Sequence, residues 1–240
     1  MRKILQERID RLTKSKDLFK RYIEQFYKRG LKFPHSSYYF HKRVLERINT
    51  VKFINLFENN LFLELVYATL STWGLDRLDG KARLEKFIIF RESVLENLDL
   101  LTELSQAKLE ELEVNETSNI EQNLTTLFAN LKVMESKSKL VGISKTLHHL
   151  LPNLVLPIDR RYTLNFFYEE KFKNSVQIRG DERETFLEIF RSSHYISRKL
   201  TLNKKDLTDT WDTSIPKLID NAIIGFVELE LNPKTFQKGN

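Results

Sequence analysis

The chain has 240 residues, of which 41% are hydrophobic and 30% charged, with a net charge of +6 and no cysteine. That balance suits a folded domain with a substantial core and excludes wholesale disorder. The lack of cysteine excludes disulfides, thiolate metal sites and a cysteine nucleophile. Seven glycines and five prolines are few for the many turns of an all-β protein, so helices are expected. The charged start has no apolar stretch of signal-peptide length, and no apolar run approaches a membrane span. The expectation is a cytoplasmic protein with no membrane contact.

Residues 3–29 carry Ile4, Ile9, Leu12, Leu18, Tyr22 and Phe26 at broadly helical spacing, ended by Gly30. Ten Lys and Arg between Arg2 and Arg29 make this segment a charged outer face or a phosphate-facing strip. A turn at residues 33–36 leads into a second helix opened by Tyr38, Tyr39, Phe40 and His41 and followed by Lys42, Arg43 and Arg47. Such aromatics belong to a core or, interleaved with cations, stack on nucleobases.

Residues 61–72 are apolar nearly all round, which predicts a helix in the middle of a bundle, capped by Asn59-Asn60. Trp73-Gly74 ends it, with Gly74 suited to a left-handed C-cap. The loop at 75–80 then lines a pocket or simply packs. Residues 81–113 predict one long helix or two end to end. Residues 110–120 are the one weak boundary in what reads as a single domain over 1–240. Ser118 with Glu121 fits a capping box for a helix through about Met134. A polar loop spans 171–181, a helix runs from about Arg183 to Arg198, and another polar connection covers 202–212. A last helix covers about 215–229, with Pro216 in its first turn. The fold class is therefore all-α, a bundle of about eight to ten helices.

Residues 140–167 differ from the rest. They hold one glycine, two prolines and two of the five histidines. A turn at Gly142 is expected to lead into a short helix over 144–151 that Pro152 ends. An extended apolar link then runs to Pro157, and Asp159 opens a helix carrying Tyr162, Leu164, Phe166 and Phe167. Asp159 at a helix start suits a carboxylate kept ionised and suits an ordinary N-cap equally well. His148 and His149 are adjacent, so on a helix they point about 100° apart and are poorly placed to share a metal. One is expected to pack and the other to face a groove or solvent. Lys137, Lys139, Lys145, Arg160 and Arg161 make the segment locally basic.

The order glycine turn, lysine, short helix, apolar-Pro-apolar-Asp, helix resembles the core of helix-hairpin-helix DNA glycosylases. The segment is also similar to uncharacterised all-helical proteins of prokaryotes and viruses. The glycosylase resemblance covers about 28 residues and implies that Gly142 and Ser144 shape a turn whose backbone holds a DNA phosphate. It further implies that Lys145 is the nucleophile forming a Schiff base with the sugar and that Asp159 is the essential carboxylate. Ser144 stands where the family has a second glycine, and the spacing of Lys145 and Asp159 is shorter than the family's. Arg160, Arg161 and His149 complete the expected nucleic-acid-binding set. The expected function is nucleic-acid binding with glycosylase-like base excision, DNA being the partner and no cofactor or metal being called for. Two alternatives stay open: a non-catalytic protein-interaction module, and a small-molecule enzyme with a pocket near Trp73 and His149. The absence of a P-loop, a dinucleotide fingerprint and a Gly-x-Ser-x-Gly elbow argues against kinases, Rossmann enzymes and α/β-hydrolases.

Overall fold

Eleven α-helices and no strand occur among the residues that the computed structural model describes, 3–30, 35–77, 82–113, 115–168, 181–208 and 211–231. The protein is an all-α bundle. The expected turn at 33–34, the loop at 78–80, the polar stretch at 171–180 and residues 209–210 lie outside the described residues.

The first expected helix is two. α1 spans Lys3–Leu12 and buries Leu5, Ile9 and Leu12, one stripe of its surface. α2 spans Lys16–Gly30. Ser15 separates them, its hydroxyl accepting from the Leu18 N–H at 3.1 Å, because a serine between two apolar stripes of different phase favours a cap over continuation. α3 spans His35–Thr50 and packs on α4, Leu61–Leu70. A wider turn over Ser71–Leu75 extends α4 and is stopped by Gly74 at φ +79°, the left-handed conformation expected there. The apolar segment 61–72 is less central than its composition predicts. Leu61 is 47% exposed, and Glu64 faces outward.

Among the described residues of 82–113 there is no long helix. α5 (Phe87–Leu95) and α6 (Leu98–Leu104) are short, and a single 3₁₀ turn covers Leu109–Glu111. Asn97 interrupts the run; it bonds the Ser93 carbonyl and receives Asn130. α7 begins at Thr117 and ends at Asn130 with no side-chain cap. The capping box expected from Ser118 does not form, because Glu121 instead makes a two-pronged contact with Arg191 at 2.9 and 2.7 Å. Residues 131–135 run extended past 83–85, joined by Glu85 N–H to the Val133 carbonyl at 2.9 Å.

α8 spans Leu140–Leu150, α9 Thr163–Tyr168, α10 Glu182–Leu200 and α11 Ile215–Phe226. All twelve residues of α11 are buried, and ten of the eleven of α8. These two are the interior helices. α11 starts where Ser214 accepts from the Lys217 N–H and Pro216 takes a first-turn position. It lies so close to α2 that a Cβ on Gly225 would overlap the Tyr22 carbonyl. The buried apolar side chains from Leu5 to Val227 form one contiguous cluster that includes Leu109, Leu112 and Leu124 around the weak boundary. No described helix is long and apolar enough to cross a membrane.

Candidate functional site

A polar cluster is buried where α3, α8, α11 and the turn after α4 meet. Two helices present polar groups at the same spacing. Lys145, His148 and His149 stand at i, i+3 and i+4 of α8, and Lys217, Asp220 and Asn221 at i, i+3 and i+4 of α11. That spacing puts each set on one helix face. Trp73 is brought over by the turn after α4, its indole N–H donating to the Ser37 carbonyl at 3.3 Å, while the Ser37 hydroxyl donates to the Thr72 carbonyl.

Lys145 is 8% exposed. Its ammonium donates to the Trp73 carbonyl at 3.1 Å and lies 5.6 Å from the centre of the Trp73 ring. Burial pulls its proton affinity below that of an ordinary lysine, and the charges of Asp159 and Asp220 oppose the shift. Lys217 is paired instead, to Asp220 at 2.6 Å and to the Asn221 side-chain carbonyl at 2.7 Å. The rings of Phe26, Trp211 and Trp73 surround it at 5.4–5.9 Å. Burial raises the Asp220 carboxyl and Lys217 counters that rise. Asn221 donates to Asp212, whose other carboxylate oxygen accepts from Tyr27 and Thr208, so this buried carboxylate is satisfied by neutral donors.

Three buried histidines belong to this cluster. A carbonyl only accepts, so His149 Nδ1, 2.7 Å from the Lys145 carbonyl, carries a proton. Burial holds His149 neutral, with its pKa down at about 4, so its Nε2 is a bare acceptor. The Nδ1 of His41, 3.1 Å away, must then be the donor, and His41 Nε2 is bare in turn, this ring also being held well below the usual imidazole range by burial. His148 donates from Nδ1 to the Val155 carbonyl at 2.8 Å, and its Nε2 is buried without a partner among the described residues. The His41 ring is nearly parallel to those of Trp211 and His148, each with its centre 5.8 Å away.

Asp159 is half-buried ahead of α9. Its carboxylate accepts from the Arg161 and Tyr162 N–H groups at 2.7 and 3.0 Å, and its own N–H donates to Thr163. It thus caps the turn into α9 and also bears electrostatically on Lys145 and Asp220. The expected pair Lys145 and Asp159 shares one neighbourhood without a direct hydrogen bond between them.

Other expected site residues fall elsewhere. Gly142 and Ser144 are inside α8, not in a turn. Gly142 is needed because a Cβ there would come within 2.5 Å of Met134. The Ser144 hydroxyl accepts from the Ile158 N–H and donates to the Val141 carbonyl. The N-terminus of α8, where a hairpin would hold a phosphate, is already filled by a carboxylate. Glu182 accepts from the N–H groups of Lys139 and Leu140 at 2.7 and 3.1 Å and from the Ser138 hydroxyl at 2.6 Å. His149 is fully buried and so is not part of a nucleic-acid face; His148 is fully buried too, so neither histidine faces solvent. Arg160 and Arg161 are exposed, Arg160 donating to Ser138 and Arg161 lying over the Tyr162 ring.

Sequence reasoning missed Lys217, Asp220, Asn221 and Trp211, and took His41 only as part of an aromatic run. A usable signal was present in α11: three polar residues at i, i+3 and i+4 inside an otherwise apolar helix, where a solvated face would carry more. Among the described residues no group of three His, Asp or Glu side chains is placed to hold a metal ion. No protein-family model, no curated protein and no solved structure matches the chain.

Proposed function

We propose that the protein is an enzyme whose reactive group is the Lys145 amine, acting in glycosylase-like fashion on the sugar of a nucleic acid with Asp159 as its carboxylate. The observation that carries this reading is a buried amine bonded to a carbonyl and to no carboxylate, with Asp159 near enough to act on it; burial lowers its proton affinity. A lysine desolvated in this way has more of its amine unprotonated at neutral pH, the form that attacks carbon. The amine nitrogen bonds to the sugar's anomeric carbon as the bond to the base breaks. The amine proton leaves with the base, and opening of the sugar ring gives the Schiff base. Asp159 stabilises the positive charge that develops on the sugar.

Access requires the Trp73 turn to swing away, since the Trp73 carbonyl and ring cover the amine. With Glu182 on the end of α8, the phosphates meet Arg160 and Arg161 next to Asp159 rather than the helix terminus. The test is borohydride trapping on a duplex containing an abasic site. A covalent adduct is expected with the unaltered protein and is lost in Lys145→Ala, while Asp159→Asn slows its formation. No adduct, or one unaffected by Lys145→Ala, overturns the proposal. Binding to undamaged duplex, followed against salt, checks the partner separately, since phosphate contacts are strongest at low salt.

A further inference from the structure

The bare Nε2 of His41 does not end in the core. It faces the Thr213 hydroxyl at 3.4 Å, in the loop just before α11. By the proton order derived above, this nitrogen accepts, so the Thr213 hydroxyl is the donor. The connected series is therefore Thr213 hydroxyl, His41, His149 and the Lys145 carbonyl, with every proton pointing away from Thr213. A hydroxyl bonded to a neutral imidazole, itself oriented by a third group, is the arrangement that activates an oxygen nucleophile, and the first bond is often loose before substrate binds.

Thr213 also borders open space, with His41 behind it. A groove of about 310 Å³ between α3 and the loop before α11 is walled by His41 and Thr213, with Lys42, Asn49, Leu45 and Leu207 around them. That volume suits a small molecule. Leu45 and Leu207 supply apolar wall, the carboxylates Glu46 and Asp212 also line the groove, and Lys42 is the lining cation, suited to an oxygen that gains negative charge. Thr213 is half-exposed while His41 is fully buried behind it, so a ligand meets the hydroxyl first.

We infer that this groove is an acyl-transfer site for small carboxylic esters, with Thr213 as the nucleophile, His41 as its general base and His149 as the positioning residue. The Thr213 oxygen bonds to the acyl carbon while its proton passes to His41 Nε2. The ester C–O bond breaks and the departing alcohol takes that proton. Water then attacks the acyl-threonine, again giving a proton to His41, which returns it to Thr213 as the acid leaves. While protonated, His41 donates to His149 beside the nearly parallel rings of Trp211 and His148, and because burial and the Lys217 charge oppose a cation there, the proton is passed on at once rather than held. The site is separate from the Lys145 amine and stands whether or not that amine is reactive.

The test uses the full chain and a fluorophosphonate, which transfers its phosphonyl group to activated hydroxyls, with peptide mapping of the product. Labelling on Thr213 is expected, absent in the near-isosteric Thr213→Val and slowed about 100-fold in His41→Gln. No label on Thr213 of the folded protein, or label that persists in Thr213→Val, overturns the inference. The ¹⁵N spectrum of the unaltered protein decides the His41 step even where His41→Gln fails to fold. A proton on Nδ1 and none on Nε2 of both His41 and His149 is expected, and a proton on His41 Nε2 contradicts the relay.

Discussion

Lys217 and Lys145 occupy the same buried cluster in different electrostatic surroundings, and the difference lies in their partners. Lys217 has a carboxylate at 2.6 Å; Lys145 has only a carbonyl and an indole in contact. A buried pair is costly to break from one side, because the remaining group is left without a counter-charge. Lys217→Met should therefore destabilise by about 3 kcal/mol in urea unfolding, while the double variant Lys217→Met with Asp220→Leu should recover most of that loss. Additive losses in the double variant would mean that the pair is not a unit. At this scale the nearness of Lys145 to Asp159 was legible in the sequence, because both stand in one unusual local segment. His41 was not, because it acquires its role from α8, more than a hundred positions away, and Lys217 was missed although its partners Asp220 and Asn221 stand in its own helix.

At the scale of elements, boundaries hinge on single side chains. Most helices were visible from apolar spacing, including α10 and α11 to within a few residues. The expected turn at Gly142 was misread because glycine serves two purposes. Here it admits Met134 against a continuous helix rather than turning the chain. The end of α8 depends on Glu182 reaching across from α10, which no local pattern reveals. Glu182→Ala should cost about 1–2 kcal/mol by leaving the α8 N-terminus uncapped, measured as a lower urea midpoint. An unchanged midpoint would show that water replaces the carboxylate at no cost. Gly225 sets the α2–α11 distance, so Gly225→Ala should destabilise by about 3 kcal/mol or prevent folding through backbone overlap with Tyr22. A Gly225→Ala protein as stable as the unaltered one would contradict the close approach.

The whole molecule is governed by which helices are central. Composition pointed to residues 61–72, yet α11 holds the middle although it carries Lys217, Asp220 and Asn221. Mutual pairing satisfies these groups, so the helix is buried while its sequence looks amphipathic. Three histidines are buried with them, and burial lowers all three pKa values. Unfolded imidazoles take up protons near pH 6.5, whereas folded His149 resists until about pH 4. The unfolded chain thus binds more protons in that window. Stability is full above pH 6.5 and falls as the pH drops toward 4, with His149 alone accounting for about 3 kcal/mol at the acid end. Urea midpoints at pH 7.5 and pH 5 should show this loss; equal midpoints would place the histidines in contact with solvent.

The catalytic reading rests on one amine, and its protonation can be read directly. A pH titration of the ¹⁵Nζ resonance of Lys145, assigned by its disappearance in Lys145→Arg, should give a midpoint clearly below the value of about 10.4 usual for lysine, with Asp159→Asn lowering it further because a countering charge is removed. A midpoint at or above the usual value would show an amine that stays protonated at neutral pH, and would contradict Lys145 as the nucleophile.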